Sequence, residues 1–247
     1  MITKTPTYAG LTDTGQVRKR NEDNWSAAPE LGLFILADGM GGAARGDVAS
    51  RMVVDRLPVM VQKILDEQPN AKLPDLAGAI GLALVDLSGT LKKHTVDNPE
   101  LNGMGATVVL TLIRNQQAII AHMGDSRAYI LRNSLLSRLT KDHSIVQILI
   151  DNGEITPEEA AVHPSRSHIT QCVGMQEEPN PDVRVIDLEP QDRILLCSDG
   201  LTGMISEQEI LDLLSDSATL HDICQELISA ANKAGGRDNI TVIIIDT

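Results

Sequence analysis

Residues 33–42 read LFILADGMGG: an apolar run that stops at Asp38 and gives way to glycine and methionine. A second stretch, ILLCSDG at 194–200, ends the same way at Asp199. Asp-Gly after a strand has an ordinary reading as a hairpin turn. The other reading is that two strands deliver carboxylates to one point. Asp125 in HMGDSR follows the apolar run 118–121, and Asp238 in GGRDNITVIII directly precedes the last apolar run. Taken singly, each is a turn residue before it is a ligand. Together they are harder to dismiss, because carboxylates are rarely buried unless paired or bound to a metal. Oxygen donors with no His or Cys cluster suit hard cations, Mg2+ or Mn2+.

Strand patterns lie at 8–12, 33–37, 106–113, 117–123, 126–132, 193–197 and 240–246, the last two apolar almost throughout, as for strands covered on both faces. Residues 46–66 read as a helix kinked or interrupted at Pro58. Leu73, Leu76, Ile80, Leu84, Leu87 and Leu91 form one helix face, and Leu220, Ile223, Cys224, Leu227, Ile228 and Ala231 form another. Ser206 with Glu209 makes a capping box. Consecutive strands over 106–139 imply antiparallel pairing, so the fold class is α+β: packed antiparallel sheets covered by helices. Residues 142–174 carry two short helical patterns and the polar stretch SRSHITQ. This segment reads as a helical insert, either a lid or a plain connection.

The 247 residues, 42% hydrophobic, are enough for one domain with a sizeable core. The net charge of −13 opposes binding to nucleic acid or anionic membranes, and 2% aromatics leave few platforms for single strands. No apolar run of roughly 18 residues predicts a spanning helix, and the first ten residues have no signal-peptide core. Cys172, Cys197 and Cys224 form no CxxC or zinc spacing and suit a reducing cytoplasm. Gly39-Met-Gly-Gly-Ala-Ala44 also fits a relaxed dinucleotide fingerprint. That reading needs a parallel strand with an acid at its tip soon afterwards, but helical segments follow, and Asp38 would oppose a pyrophosphate.

The set GLTDTGQVRKRNEDN, LFILADGMGG, GMGATVVL, HMGDSRAYILR, LTKDHS, GEITPEEAAVHP, ILLCSDGL and GGRDNITVIII resembles the metal-dependent protein phosphatases of the PP2C (PPM) type, in their compact bacterial form. The likeness runs from about residue 8 to the end, with the motifs in the family's order. It implies an α-β-β-α sandwich of two antiparallel sheets flanked by helices, one domain over 1–247, with 142–174 as a flap. It implies hydrolysis of phosphoserine and phosphothreonine by a hydroxide bridging two Mn2+ or Mg2+ ions, without a phosphoenzyme. By the match, Asp38 bridges the ions, the Gly39 carbonyl ligates one, and Asp199 and Asp238 hold the other. Asp23, with Glu22 beside it, acts through metal-bound water. Asp125 with Asp199 holds a third ion.

Arg18 binds the substrate phosphate by the same match, although RKR alone reads as a solvated face. Ser144, Ser167 and His168 are candidate substrate contacts in the flap. His163 and His168 read as structural when weighed alone. Met40 stands where many eukaryotic members have a His proposed as general acid, so water protonates the leaving group. Ala43 replaces a His common in bacterial relatives. Phosphorylated proteins are the expected partners, and the expected state is a cytoplasmic monomer. A catalytically silent member is the competing class, but such proteins usually lose metal acids, and here the expected ones remain.

Overall fold

The decisive feature is a parity shared by strands of two facing sheets. The computed structural model describes residues 6–41, 45–175 and 177–247, so Gly42 of the opening stretch and the Ala43 and Ala44 that follow it lie outside the described residues. One sheet contains, in spatial order, β1 (Thr7–Asp13), β11 (Ile240–Asp246), β10 (Arg193–Cys197), β7 (Arg127–Arg132) and β8 (Leu135–Arg138). The other contains β2 (Asp23–Ala28), β3 (Leu33–Met40), β5 (Val108–Arg114), β6 (Gln117–Met123) and β9 (Asp182–Asp187), with the short β4 (Gly105–Ala106) also paired to β3. All these pairings are antiparallel.

Side chains alternate across each strand. In β3, Leu33, Ile35 and Ala37 pack outward against α1 (Gly46–Glu67) and α2 (Leu73–Asp97), whereas Phe34 and Leu36 face the other sheet. In β10, Ile194 and Leu196 face inward, and Leu195 and Cys197 pack toward α6 (Glu207–Leu214) and α7 (Leu220–Lys233). In β11, Ile243 and Ile245 face inward, and Val242 and Ile244 outward. Three apolar layers result, one between the sheets and one beneath each helical face. This is the expected α-β-β-α sandwich.

Three strands escape the sequence reading. β2 (DNWSAA) carries little apolar signal, yet it pairs with β3 along its whole length. β8 is four residues long, and β9 (DVRVID) is half charged. The predicted break at Pro58 does not occur. α1 continues through it, held on the β3 side by Val53, Val54, Leu57, Val61 and Leu65. α2 also corrects the membrane expectation, since its best window reaches a mean hydropathy of 1.2 and passes a spanning test by length and composition. Its Leu76, Ile80, Leu84, Leu87 and Leu91 are spent on the core. Segment 142–174 contains α3 (Ile145–Asp151) and α4 (Pro157–Ala161), the latter opened by a complete Thr156–Glu159 capping box. The Ser206–Glu209 box likewise forms at the start of α6.

Candidate metal centre

The inward series Phe34, Leu36 continues to Asp38, so the strand period itself aims that side chain between the sheets at their open end. The same parity holds in β2, where Asp23 precedes Trp25 and Ala27 and is the Cα partner of Asp38. From the opposite sheet, Ser198 follows Ile194 and Leu196, and Thr241 precedes Ile243 and Ile245. Asp199 opens the short α5 (Asp199–Thr202) just beyond β10, and Asp238 lies two residues before β11. Asp38 is therefore not a turn residue after a strand. β3 runs on through Met40, and Gly39 pairs with Ala106.

These groups touch. The Ser198 and Thr241 hydroxyls donate to Asp23 Oδ2 at 2.8 and 2.6 Å, and the Ser198 Oγ also accepts from the Thr241 amide at 3.0 Å. Asp38 and Asp199 lie close enough to shift each other's titration. Arg18 Nη2 donates to Asp238 Oδ2 at 2.6 Å. Asn239 fastens the loop that carries Arg18: its Nδ2 donates to the carbonyls of Thr14 and Arg20, and its Oδ1 accepts from the Glu22 amide at 2.8 Å. Thr107 Oγ1 accepts from the Asp38 amide and bonds the Ser126 hydroxyl at 2.7 Å. Ser198, Thr241, Asn239 and Thr107 were missed by the sequence reading. Their only signal is a polar residue adjoining an apolar strand, which many positions share.

The electrostatics are strained without a cation. Burial, and then the charges of Asp23, Asp199, Asp125 and Asp238, hold Asp38 well above the ordinary carboxylate range. Burial also pushes Asp125 up to about 8, Asp23 to about 7 and Asp199 to about 6. Asp23 Oδ1 and Asp199 Oδ1 are buried and lack a hydrogen-bond partner. Such groups demand protons or cations. Orphaned carboxylate oxygens converging from two sheets, with oxygen donors alone, fit hard divalent ions such as Mg2+ or Mn2+.

Other candidates fall less centrally. Glu22 joins through its backbone, its carbonyl accepting from the Gly39 amide and the Ser50 hydroxyl. Asp125 follows Gly124, whose φ of +112° and packing on Thr107 demand glycine. Ser144 is buried, and its hydroxyl accepts from the Gln147 amide as the cap of α3. Ser167 and His168 are exposed, and among the described residues no hydrogen bond links either side chain to the aspartates. His163 Nδ1 accepts from the Ser165 amide, a local turn contact.

A family model described as protein phosphatase 2C matches residues 15–243. The chain belongs to the protein phosphatase 2C family. Among PP2C relatives, the protein phosphatase PhpP of Streptococcus pneumoniae is 39% identical over 239 residues, covering 95% of each chain. The serine/threonine phosphatase of S. agalactiae superposes with a TM-score of 0.88 at 36% identity, covering 98% of this chain and 99% of that one. The catalytic domain of the serine/threonine phosphatase PstP, solved in complex with 2 manganese ions, gives a TM-score of 0.83 at 36% identity, covering 98% and 97%. The dinucleotide reading of the glycine loop is thereby set aside, and the protein is a PP2C-type phosphatase.

Proposed function

We propose that this PP2C phosphatase hydrolyses phosphoserine and phosphothreonine monoesters on proteins, using divalent cations held by its aspartates. The observation that carries the reading is the convergence of Asp23, Asp38, Asp199 and Asp238 from both sheets beside Arg18. Asp38, the Gly39 carbonyl, Asp199 and Asp238 are assigned to a two-ion centre, with Asp125 and Asp199 assigned to a third ion. Two such ions, when bound, supply an acidified water as nucleophile and positive charge for the phosphoryl oxygens. Asp23 orients water from its buried seat, fixed by the Ser198 and Thr241 hydroxyls. Glu22 holds the Gly39 backbone.

Arg18 offers a planar fork of five donors and spends one on Asp238, so it can engage a phosphate without leaving its anchor. No cysteine competes as nucleophile: burial pushes Cys172 up to about 11, and Cys197 and Cys224 to about 12. The oxygen entering the product is assigned to water, with no phosphoenzyme. Met40 has no proton to give, so water protonates the leaving group. Segment 142–174 is assigned as the flap that shapes substrate access. The reading extends to a cytoplasmic monomer acting on phosphoproteins, in keeping with a net charge of −13 and three free cysteines.

Phosphopeptide hydrolysis is expected to require Mn2+ or Mg2+, to stop with EDTA, and to stop in Asp199→Asn. Turnover that survives either treatment rules the mechanism out. Arg18→Ala is expected to raise KM for phosphopeptides about tenfold, the loss of a charge-assisted hydrogen bond, with a smaller change in kcat. An unchanged KM returns Arg18 to the solvated face.

A further inference from the structure

His122, His143 and Asp182 are not among the residues assigned to the aspartate centre, although His143 meets Gly124 beside Asp125, and the proposed reaction does not use them. His122 ends the inward series Ala118, Ile120 in β6, and Asp182 is its Cα partner in β9, so their side chains stand on the same face. His143 arrives from the base of the flap. Its ring stacks on His122 with centroids 4.6 Å apart, and its Nε2 lies 3.4 Å from Asp182 Oδ2. One ring nitrogen from each histidine and one Asp182 oxygen all lie within 4.8 Å of one another.

The geometry points to a second cation site here, for Zn2+ or a similar borderline transition metal, built from two imidazoles and a carboxylate. Tetrahedral Zn2+ with bonds of about 2.0–2.1 Å places its ligand atoms about 3.4 Å apart, and His143 and Asp182 already have that spacing. His122 Nε2 bonds the Lys141 carbonyl at 2.8 Å. That is the outer-shell bond that fixes a ligating imidazole and leaves the Nδ1 lone pair for the metal. Burial lowers the His122 pKa, which favours the neutral ring that ligation needs. His143 Nδ1 faces the Gly124 amide at 3.3 Å, a long contact. Ligation through Nε2 puts the ring proton on Nδ1, where it faces the Gly124 N–H, so that contact is lost and the His143 ring turns out of its present stack as the ion binds. Nitrogen donors separate this site from the all-oxygen centre, which prefers harder ions.

Occupancy would tie the flap to the sheet. The His143 amide donates to the Gly124 carbonyl at 2.9 Å, and its carbonyl accepts from the Thr170 amide at 2.7 Å, so both legs of the flap meet at this residue. An ion here therefore acts as a staple between β6, β9 and the flap base.

The test uses the full chain, stripped with EDTA, dialysed, and held in excess Mg2+ to fill the aspartate centre. Co2+ is then titrated by visible absorption and Zn2+ by calorimetry. The expected result is four-coordinate Co2+ bands and one Zn2+ equivalent in the wild type, with affinity at least about tenfold weaker in Asp182→Asn and in His143→Gln. Asp182 is mostly exposed, so its variant keeps the fold. Zn2+ is also expected to slow proteolysis within 142–174 in the wild type but not in Asp182→Asn. Equal Zn2+ affinity in the wild type and both variants, or the absence of four-coordinate Co2+ bands, overturns the site. Equal protection in the wild type and Asp182→Asn overturns the staple.

Discussion

Asp38→Asn is expected to cut phosphatase activity by more than about 100-fold, beyond the usual loss from an outer-shell partner, and yet to stabilise the cation-free protein at pH 8. The sign follows from the crowding. An ordinary aspartate titrates at 3.8, but in the folded chain Asp199 titrates at about 6, Asp23 at about 7 and Asp125 at about 8, with Asp38 also raised. Raised carboxylates favour the folded state most below the unfolded pKa. That advantage is lost as pH rises through the folded values. The EDTA-treated wild type should therefore lose melting temperature between about pH 4 and pH 8. Asp38→Asn removes a carboxyl whose ionisation the site opposes, so its curve is flatter and lies higher at pH 8. Mn2+ should reverse the ranking, because only a protein that binds the ion gains from mass action. Thermal melts with and without Mn2+ decide it. A wild-type melting temperature that is flat with pH in EDTA, or equal Mn2+ stabilisation of the variant, contradicts the shared-ligand role.

Gly39→Ala is expected to be a severely damaging single-methyl change at the site. A Cβ there would lie 2.0 Å from the Gly46 carbonyl oxygen and 2.6 Å from that of Glu22. Both are backbone atoms, on a helix start and on the strand partner of β3, so neither can rotate away. A cost of ~3 kcal/mol or more follows, or a fall in melting temperature of roughly 6–12 °C for a chain of this size. Cation affinity should fall with it, because Asp38 is displaced. Gly89→Ala is the control: it lies on an exposed turn of α2 with nothing within 4 Å of the added carbon. Helix propensity makes that change neutral or stabilising by up to about 1 kcal/mol. A Gly39→Ala protein melting within about 2 °C of wild type would show that the backbone can part here.

Much of this site was legible before any coordinates. β6, β10 and β11 are apolar runs, and their ends mark Asp125, Asp199 and Asp238 as boundary residues. Asp38 was legible by the same signal, though its strand runs three residues further than the pattern suggests. What sequence order hides is the partner across a sheet. β2 was invisible because Asp, Asn and Ser fill half of it, so nothing marked Asp23 as the residue opposite Asp38. Ser198 and Thr241 gain their role only because two sheets bring them against Asp23. Glu22 was chosen for its carboxylate, whereas its peptide group makes the documented contacts. Ser144 was chosen for its hydroxyl, which accepts from the Gln147 amide as the cap of α3.

The segment 142–174 and the aspartate cluster sit at opposite ends of the chain's local stability. α3 has the sequence IVQILID, yet none of its residues is buried, and its N-terminus rests on one serine cap and the Ser144–Ile169 bridge. β3 and β11 are interior strands, paired on both sides. Opening α3 therefore draws on a small local free energy, whereas dispersing the aspartates requires unfolding the sandwich. Backbone amides of 145–161 are expected to exchange fast, and those around Asp38 and Thr241 slowest. If 142–174 is the flap proposed above, changes in the first unit alter substrate access, while the charge arrangement of the second stays under the protection of the global fold.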